Sequence, residues 1–238
     1  MNTLPGMLHN ASVIGTKAET PDVTTLSLAF ERGVQPSFIP GQYVTVYVPE
    51  LGTPEGKAYS ISSAPDDPFL SITVKKMGRF SDHLCELQKE QKLAVSAPYG
   101  FFYSEEAATP LSMVAGGIGI IPLMSMIRHL VRNDPKRLLS LWYSNRTTRG
   151  IVFRDELAEL ERSTPSLSVH HHVTREAVSE SSGLRSGRLS PADIAAAAAD
   201  HPTTEFMLCG SISFVRDTWK GLRAEGVPES RLYTESFY

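Results

Sequence analysis

The pattern of secondary-structure signals changes once along this chain, in the segment "SEEAATP" at residues 104–110. Before this segment, short alternating or β-branched stretches are separated by turn residues such as Pro40 and Gly41. Six short strands at this spacing predict a small antiparallel β-barrel. After the segment, strands alternate with helices, which predicts a parallel α/β sheet covered on both faces. We therefore expect two domains, residues 1–106 and 107–238.

Capping and turn residues mark the ends of the predicted elements. The predicted barrel strands are 12–20, 23–30, 43–50, 58–63, 70–76 and 92–100, with one helix at 81–90. Ser81 is the predicted N-cap of that helix, with Asp82 in its first turn. In the second half, the predicted strands are 111–116, 137–145, 167–175, 204–210 and 231–237, and the predicted helices are 120–133, 153–163, 190–200 and 213–226. Ser190 and Pro191 mark one helix start, and residues 176–188 are predicted to be a loop.

Composition argues against several classes of function. The net charge of −3 and the pI of about 6.2 make nucleic acid an unexpected partner. Cys85 and Cys209 lie far apart in sequence, so neither a disulfide framework nor a cysteine-based metal site is expected. The apolar run at 111–127 contains three glycines and a proline, and predicts a strand, a turn and a helix rather than a membrane span. No signal-peptide pattern is visible, so we expect a cytoplasmic location.

The stretch "AYSISS" at residues 58–63, preceded by Lys57, is unusually polar for a strand. A core strand favours valine, isoleucine and leucine, whereas this one carries a tyrosine and three serines beside a cation. The pattern indicates that a flat, negatively charged ligand lies on the strand. Taken alone, Lys57 is also typical of a solvated surface lysine, and Tyr59 of a core aromatic residue.

Two glycine-containing turns come directly before helices. In "MVAGGIGIIP" (113–122), bare backbone and a helix N-terminus suit a pyrophosphate, and Pro122 suits the first helical turn. In "VKKMGRFSDHL" (74–84), Gly78 and Ser81 stand at a helix start in the same way. Each turn alone is equally typical of an ordinary strand-to-helix connection or of a capped helix.

A cysteine and a run of histidines have two interpretations each. Cys209 ends a buried strand, either as an inert thiol or as a group that faces a ligand, with Gly210 permitting close approach. Residues 170–172 are three histidines, but neighbours on a strand point to opposite faces. We therefore predict a strand with polar exposure there, and no metal site.

Eight stretches in their order along the chain resemble the ferredoxin–NADP⁺ reductase superfamily, from about residue 9 to the C-terminus. They are "FIPGQY" (38–43), "KAYSISS" (57–63), "VKKMGRFSDHL" (74–84), "APYGFF" (97–102), "AGGIGIIP" (115–122), "SNRTTRGIVFRDEL" (144–157), "LCGS" (208–211) and "YTESF" (233–237). The second half is most similar to the reductase domains of flavohaemoglobins and of stand-alone electron-transfer reductases. The sequence contains no globin and no CxxxxCxxC ligand run, so neither redox module is expected.

The resemblance implies that the barrel binds FAD, with FMN as the alternative flavin. Tyr59 then packs on the isoalloxazine, the Ser60 hydroxyl contacts the ring near its reactive nitrogen, and Lys57 meets the phosphate. Lys57 departs from the superfamily's usual arginine, because lysine supplies charge without the bidentate fork. The implied FAD contacts are Lys57, Ala58, Tyr59, Ser60, Val74, Lys75, Gly78, Arg79, Phe80 and Ser81.

The resemblance also implies that the second domain is a Rossmann-like NAD(P)-binding domain. Its implied coenzyme residues are Gly116, Gly117 and Gly119 at the pyrophosphate, Cys209 and Gly210 beside the nicotinamide, and Thr174 and Arg175 at the 2′-phosphate, with Arg146 assisting. Glu235 matches the glutamate near the hydride path, and Phe237 or the terminal Tyr238 covers the other face of the flavin. No acidic residue ends "LWYSN", so NADPH is favoured over NADH, although both stay open.

The expected activity is that of an FAD-dependent NAD(P)H oxidoreductase. Hydride passes from nicotinamide to flavin, and electrons then pass to a separate acceptor protein such as a ferredoxin, an oxygenase or a haem protein. The implied catalytic residues are Ser60, Cys209 and Glu235. The alternatives are a flavin reductase that releases free reduced flavin, a non-catalytic flavin electron-transfer subunit, and a regulatory nucleotide-binding module.

Overall fold

The chain divides into two units, each with its own sheet. The structure is a computed structural model that describes residues 8–33, 35–103, 109–179 and 182–237. The first unit comprises Met1–Tyr103 with Met124–Met126, and the second comprises Ser104–Leu123 with Ile127–Tyr238. The predicted boundary between residues 106 and 107 lies outside the described residues and stays a prediction.

The sheet of the first unit is antiparallel and closes on itself. Its six strands are β1 (Leu8–Thr20), β2 (Val23–Phe30), β3 (Tyr43–Tyr47), β4 (Lys57–Ser60), β5 (Leu70–Lys75) and β6 (Lys92–Ser96), in the order β4-β3-β6-β1-β2-β5. The two edges meet just after β4, where Ile61 bridges to Ile72 and the Ser62 N–H donates to the Ser71 carbonyl at 2.8 Å. Closure removes the unpaired edges of the sheet. The predicted six-stranded barrel is therefore confirmed.

Alternate residues of these strands fill the barrel. Leu26 and Leu28 on β2 and Val44 and Val46 on β3 are at most 1% exposed, while their neighbours along each strand are less buried. Because every second side chain points inward, each strand contributes one apolar row to the inside of the barrel. Burying each such side chain contributes about 1.5–3 kcal/mol of hydrophobic free energy. The barrel is thus a packed core, and ligand-binding groups must lie on its rim or outer surface.

The helix of the barrel unit begins earlier than predicted. Helix α1 runs from Arg79 to Glu86, with Gly78 as its N-cap. The Ser81 hydroxyl accepts from the Met77 N–H at 2.8 Å and donates to the Gly78 carbonyl at 2.9 Å, so it braces the preceding turn instead of capping the helix. The predicted N-cap at Ser81 is wrong, and so is the predicted helix end at residue 90. Asp82 does lie in the first turn.

The sheet of the second unit is parallel throughout. Its strands are β7 (Leu111–Gly116), β8 (Leu139–Asn145), β9 (Leu167–Val173), β10 (Leu184–Ser186), β11 (Glu205–Ser211) and β12 (Leu232–Phe237). Its helices are α2 (Ile120–Asn133), α3 (Arg154–Ser163), α4 (Pro191–Ala197) and α5 (Ile212–Ala224). The alternation of strand and helix is as predicted, and the Ser190 hydroxyl caps α4 by accepting from the Asp193 N–H. The prediction of an unbroken loop over 176–188 is wrong, because β10 pairs with β9.

The strand order reverses once in this sheet. The order is β10-β9-β8-β7-β11-β12, so the chain first moves outward from β7 to β10 and then returns to place β11 and β12 on the other side of β7. In open parallel sheets, ligands bind in the crevice at the carboxyl ends of the two strands that flank such a reversal. The ends of β7 and β11 therefore mark the expected nucleotide site.

Helices α4 and α5 cover one face of this sheet. They pack on an apolar cluster that includes Val114, Trp142, Phe206 and Leu208. Within the described ranges, no helix is both long and apolar enough to cross a membrane.

Candidate functional site

The three serines of "AYSISS" have different surroundings. The Ser62 hydroxyl donates to the Ser71 carbonyl at 3.1 Å and accepts from the Thr73 hydroxyl at 2.9 Å. The Ser63 hydroxyl accepts from the Ser71 N–H at 2.9 Å. Ser60 is only 7% exposed, yet its hydroxyl has no hydrogen-bond partner within the described residues. Ser62 and Ser63 thus stabilise barrel closure, whereas the Ser60 hydroxyl, unusually for a buried one, is unpaired among the described residues.

The remainder of β4 offers a cation and an aromatic ring beside that hydroxyl. Lys57 and Ala58 are exposed, and no ion pair to Lys57 is found among the described residues. Tyr59 is half-buried, and its ring is stacked with that of Phe80 on α1, at 6.4 Å between centroids and 17° between planes. The strand thus presents charge, an aromatic ring and an unpaired hydroxyl in succession.

The start of α1 provides space for an anion. Gly78 has φ 146°, and no heavy atom lies within 4 Å of the position that a Cβ would take. The first N–H groups of a helix have no partner inside the helix, and Arg79 at this end is exposed. The Ser81 hydroxyl is occupied by backbone groups, so the predicted contact of Ser81 with the flavin phosphate would have to come from its N–H and stays a prediction.

The other two predicted flavin contacts on β5 differ in accessibility. Val74 is fully buried in the barrel core. Lys75 is half-buried, and its ammonium group lies 3.3 Å from the Asp22 carboxylate. The Val74 side chain therefore packs in the core, and the Lys75 ammonium group already has an anionic partner.

The glycines at the end of β7 and in the turn that follows it have different steric roles. Gly117 has φ +53°, and no heavy atom lies near its missing side chain. At Gly119, a Cβ would lie 2.3 Å from the Cys209 carbonyl oxygen, so glycine is needed there for close packing against β11. Gly116 lies against the ring of Phe214. Gly117 is therefore the glycine of this turn with open space in front of its backbone.

Strands β11 and β12 bring together the residues predicted near the nicotinamide. Cys209 is paired with Ala115 on one side and Glu235 on the other, and Phe237 is paired with Ser211. Cys209 is fully buried. Burial raises the pKa of its thiol well above the ordinary value, and the nearby Glu235 carboxylate raises it further. Cys209 is therefore a neutral thiol at pH 7. The terminal Tyr238 lies outside the described residues.

The turns after β8 and β9 carry two arginines side by side. The Arg175 N–H donates to the Arg146 carbonyl at 2.9 Å, and the Thr174 N–H and hydroxyl both donate to the Asn145 carbonyl. Both arginine side chains are exposed, and no carboxylate pairs with them in the part of the chain that the structure describes. The structure thus brings the backbones of two exposed arginines together, and guanidinium groups are well suited to bind phosphate.

A carboxylate that the sequence did not indicate fixes these two turns together. Glu176 accepts from the Thr148 N–H at 2.9 Å and from the Thr148 hydroxyl at 2.8 Å. The backbone hydrogen bond and then the hydroxyl lower the pKa of Glu176. The contact is between residues on separate turns, which is why no local sequence signal identifies it.

The histidine run is more buried than predicted. His172 is 5% exposed and neither ring nitrogen has a hydrogen-bond partner among the described residues, while the His170 ring stacks on Trp142 at 4.1 Å. Burial lowers the pKa of all three histidines, that of His171 to about 4, so they are neutral at pH 7. The predicted polar exposure is wrong for His172. Among the described residues, no three His, Cys, Asp or Glu side chains are grouped to hold a metal.

Two protein-family comparisons cover most of the chain. Residues 10–103 match the oxidoreductase FAD-binding domain, and residues 113–220 match the oxidoreductase NAD-binding domain. The glycine betaine monooxygenase reductase subunit of Chromohalobacter salexigens is 33% identical over 96% of this chain and 64% of its own. The flavohemoprotein of Bordetella pertussis is 29% identical over 94% of this chain and 59% of its own. The chain thus spans less than two thirds of the length of these relatives.

Solved structures share the fold. The flavohem-like FAD/NAD-binding domain of nitric oxide dioxygenase from Vibrio cholerae has a TM-score of 0.83 at 24% identity, covering 96% of this chain and 98% of its own. The ferredoxin reductase of carbazole 1,9a-dioxygenase has a TM-score of 0.80 at 26% identity, covering 100% of this chain and 71% of its own.

Proposed function

This chain belongs to the ferredoxin–NADP⁺ reductase superfamily as an FAD-dependent NAD(P)H oxidoreductase, and we propose that it passes electrons from NAD(P)H through FAD to a separate acceptor protein. The observation that carries the proposal is the buried hydroxyl of Ser60, which has no partner among the described residues and ends a strand that also presents Tyr59 and Lys57. A buried donor without a protein partner costs free energy, and a bound flavin removes that cost by accepting the hydrogen bond.

The residues of the first unit fit FAD. Tyr59 offers a ring face, Ser60 a hydroxyl, and Lys57 and Arg79 exposed positive charge. The open space at Gly78 and the N–H groups of α1 suit a pyrophosphate, which FAD has and FMN lacks. When bound, FAD supplies the acceptor for hydride and the means to release electrons one at a time.

The residues of the second unit hold and orient the dinucleotide. Gly117 leaves its backbone open to the pyrophosphate at the reversal of strand order. Cys209 and Glu235 flank the proposed nicotinamide position, and the Cys209 thiol is neutral there. The role of Phe237 at the flavin stays a prediction. Together these groups orient the reacting atoms and exclude water.

The coenzyme is proposed to be NADPH in preference to NADH. The support is that Arg146 and Arg175 are both exposed, and that a backbone hydrogen bond between them and the Glu176–Thr148 contact hold their two turns together. A phosphate gains charge-assisted hydrogen bonds from such a pair, whereas a ribose hydroxyl gains less.

Replacing Arg175 by alanine is expected to raise the KM for NADPH by about tenfold or more, because charge-assisted hydrogen bonds contribute about 1.5–3 kcal/mol. The KM for NADH and the kcat with either coenzyme should change little. Steady-state reduction of an artificial acceptor gives KM and kcat with each coenzyme. Arg162→Ala, an exposed arginine on α3, is the matched control and should change neither KM. A wild-type preference for NADH, or an equal loss for both coenzymes, would contradict the assignment.

The acceptor is proposed to be a protein. The relatives include a reductase subunit of a monooxygenase and a ferredoxin reductase of a dioxygenase, which supports an oxygenase component or a ferredoxin as the acceptor.

The test of the proposed function is the visible spectrum of the purified protein under anaerobic conditions. We expect a bound-flavin spectrum that bleaches when NADPH is added, and slower or weaker bleaching with NADH. Flavin that leaves the protein on gel filtration after reduction would favour a free-flavin reductase. Flavin that stays oxidised with both coenzymes would favour an electron-transfer subunit. A colourless protein that added FAD does not reconstitute would refute the flavin assignment.

A further inference from the structure

Backbone conformation does not explain why residue 116 is a glycine. It ends β7 with φ −112° and ψ 110°, an extended conformation that any residue adopts. A Cβ at this position would lie 2.8 Å from two ring carbons of Phe214. Gly210, at the end of β11, has the same neighbour, since a Cβ there would lie 2.8 Å from Phe214 Cδ1. The ring of Phe214 thus fills the space of two missing side chains.

Phe214 is held at this place by the start of α5. It is the third residue of the helix, and its N–H donates to the hydroxyl of Ser211, the N-cap. Its side chain is partly buried and packs on the apolar cluster beneath α4 and α5. The ring therefore lies between the carboxyl ends of β7 and β11, which are the two strands that flank the reversal of strand order.

We infer that Phe214 is a positioning residue of the coenzyme site, which holds the ends of β7 and β11 at the spacing that the dinucleotide needs. Gly116 and Gly210 are glycines because they admit this ring. Gly117 is then the bare backbone that faces the coenzyme. The coenzyme part of this inference rests on the proposed function, whereas the packing part rests on the structure alone.

The packing around Phe214 is close enough that a change at the ring or at Gly116 should move the strand ends. Protein interiors have few voids, so a side chain added at Gly116 must displace the ring or the strand end. Removing the ring leaves space into which both strand ends can relax. Either change moves the backbone beside Gly117, although Phe214 itself is not assigned a contact with the reacting atoms.

A double-mutant cycle on the full FAD-loaded chain tests the inference. The variants are G116A, F214A and G116A/F214A, with F214L as the conservative variant and with G117A and G117A/F214A as the controls. Calorimetry gives the Tm of the second unit, and titration with NADP⁺ and NAD⁺ gives coenzyme Kd values. G116A is expected to lower Tm by roughly 3–10 °C. We expect its Kd for the preferred coenzyme to rise about tenfold, or about 1.4 kcal/mol.

The cycle is expected to be strongly non-additive. In the F214A background, G116A should lower Tm and coenzyme affinity little further, because the ring with which the added Cβ would clash is gone. G117A should lower Tm by the same amount in both backgrounds, because nothing lies near its missing side chain. F214L should retain most of the affinity that F214A loses, with kcat less affected than KM.

Three results would overturn the inference. G116A and F214A that are additive in Tm would refute the packing role of the ring. G116A that costs equal affinity in both backgrounds would show that the coenzyme itself needs Gly116. F214A that binds coenzyme like the wild type would refute the positioning role. A wild-type chain that binds neither dinucleotide refutes the proposed function and the coenzyme part with it, and the Tm cycle then decides the packing part independently.

Discussion

Replacing Gly119 by alanine is expected to destabilise the second unit by about 3 kcal/mol or more, the upper end of the usual cost of overpacking. The added Cβ would lie 2.3 Å from the Cys209 carbonyl oxygen and 2.6 Å from the Gly210 nitrogen. Both are backbone atoms of a central strand, so no side-chain rotation relieves the clash. Gly119 has φ −62°, a conformation that alanine adopts easily, so the whole cost is steric. Calorimetry should show a fall in Tm of roughly 6–12 °C for this unit.

Gly117→Ala is the matched control for this prediction, two residues away on the same turn. Its Cβ has open space, and the cost is that of a left-handed backbone, about 1–2 kcal/mol. The two variants should also differ in binding. Gly117→Ala should weaken coenzyme binding more than its small loss of stability suggests, because the new methyl group would lie at the proposed pyrophosphate position. Equal Tm changes for the two variants would show that β11 can move away from this turn.

The two sheets could be predicted because their signals are local. The parallel strand β7 was predicted with its observed bounds from a short apolar run that ends in glycine. The barrel strands followed from alternation and from turn residues. The short strand β10 was missed because "LRS" has no periodicity, and its strand conformation depends on pairing with β9. The start of α1 was misplaced because the Ser81 hydroxyl bonds the turn before the helix.

The motifs of the candidate site could be predicted from the sequence, but the role of each residue within a motif could not. The sequence does not distinguish the three glycines at and after the end of β7, whereas the structure places Gly116 against Phe214 and Gly119 against Cys209, both distant in sequence. The serines of "AYSISS" are likewise equal in sequence. Their roles depend on which of them face β5, and that is set by the closure of the barrel. Contacts of this kind depend on tertiary packing and carry no local signal.

Replacing Ser60 by alanine is expected to change stability and activity in opposite directions. In the FAD-free protein, the variant removes a buried hydroxyl that has no protein partner among the described residues, so stability should be unchanged or higher by up to about 1 kcal/mol. In the FAD-loaded protein, it removes the proposed donor to the flavin ring. Loss of one positioned donor costs roughly a hundredfold in rate, so stopped-flow reduction by NADPH should slow by about that factor.

Ser62→Ala is the matched control from the same stretch. Its hydroxyl makes two hydrogen bonds inside the barrel, so its loss should destabilise the FAD-free protein by about 1 kcal/mol or more. The rate of flavin reduction should stay near that of the wild type, since neither bond involves the proposed flavin position. If Ser60→Ala loses as much stability as Ser62→Ala, the Ser60 hydroxyl has a structural partner in solution. If it also reduces flavin at the wild-type rate, the free donor on β4 has no part in hydride transfer, and the proposed role of Ser60 is wrong.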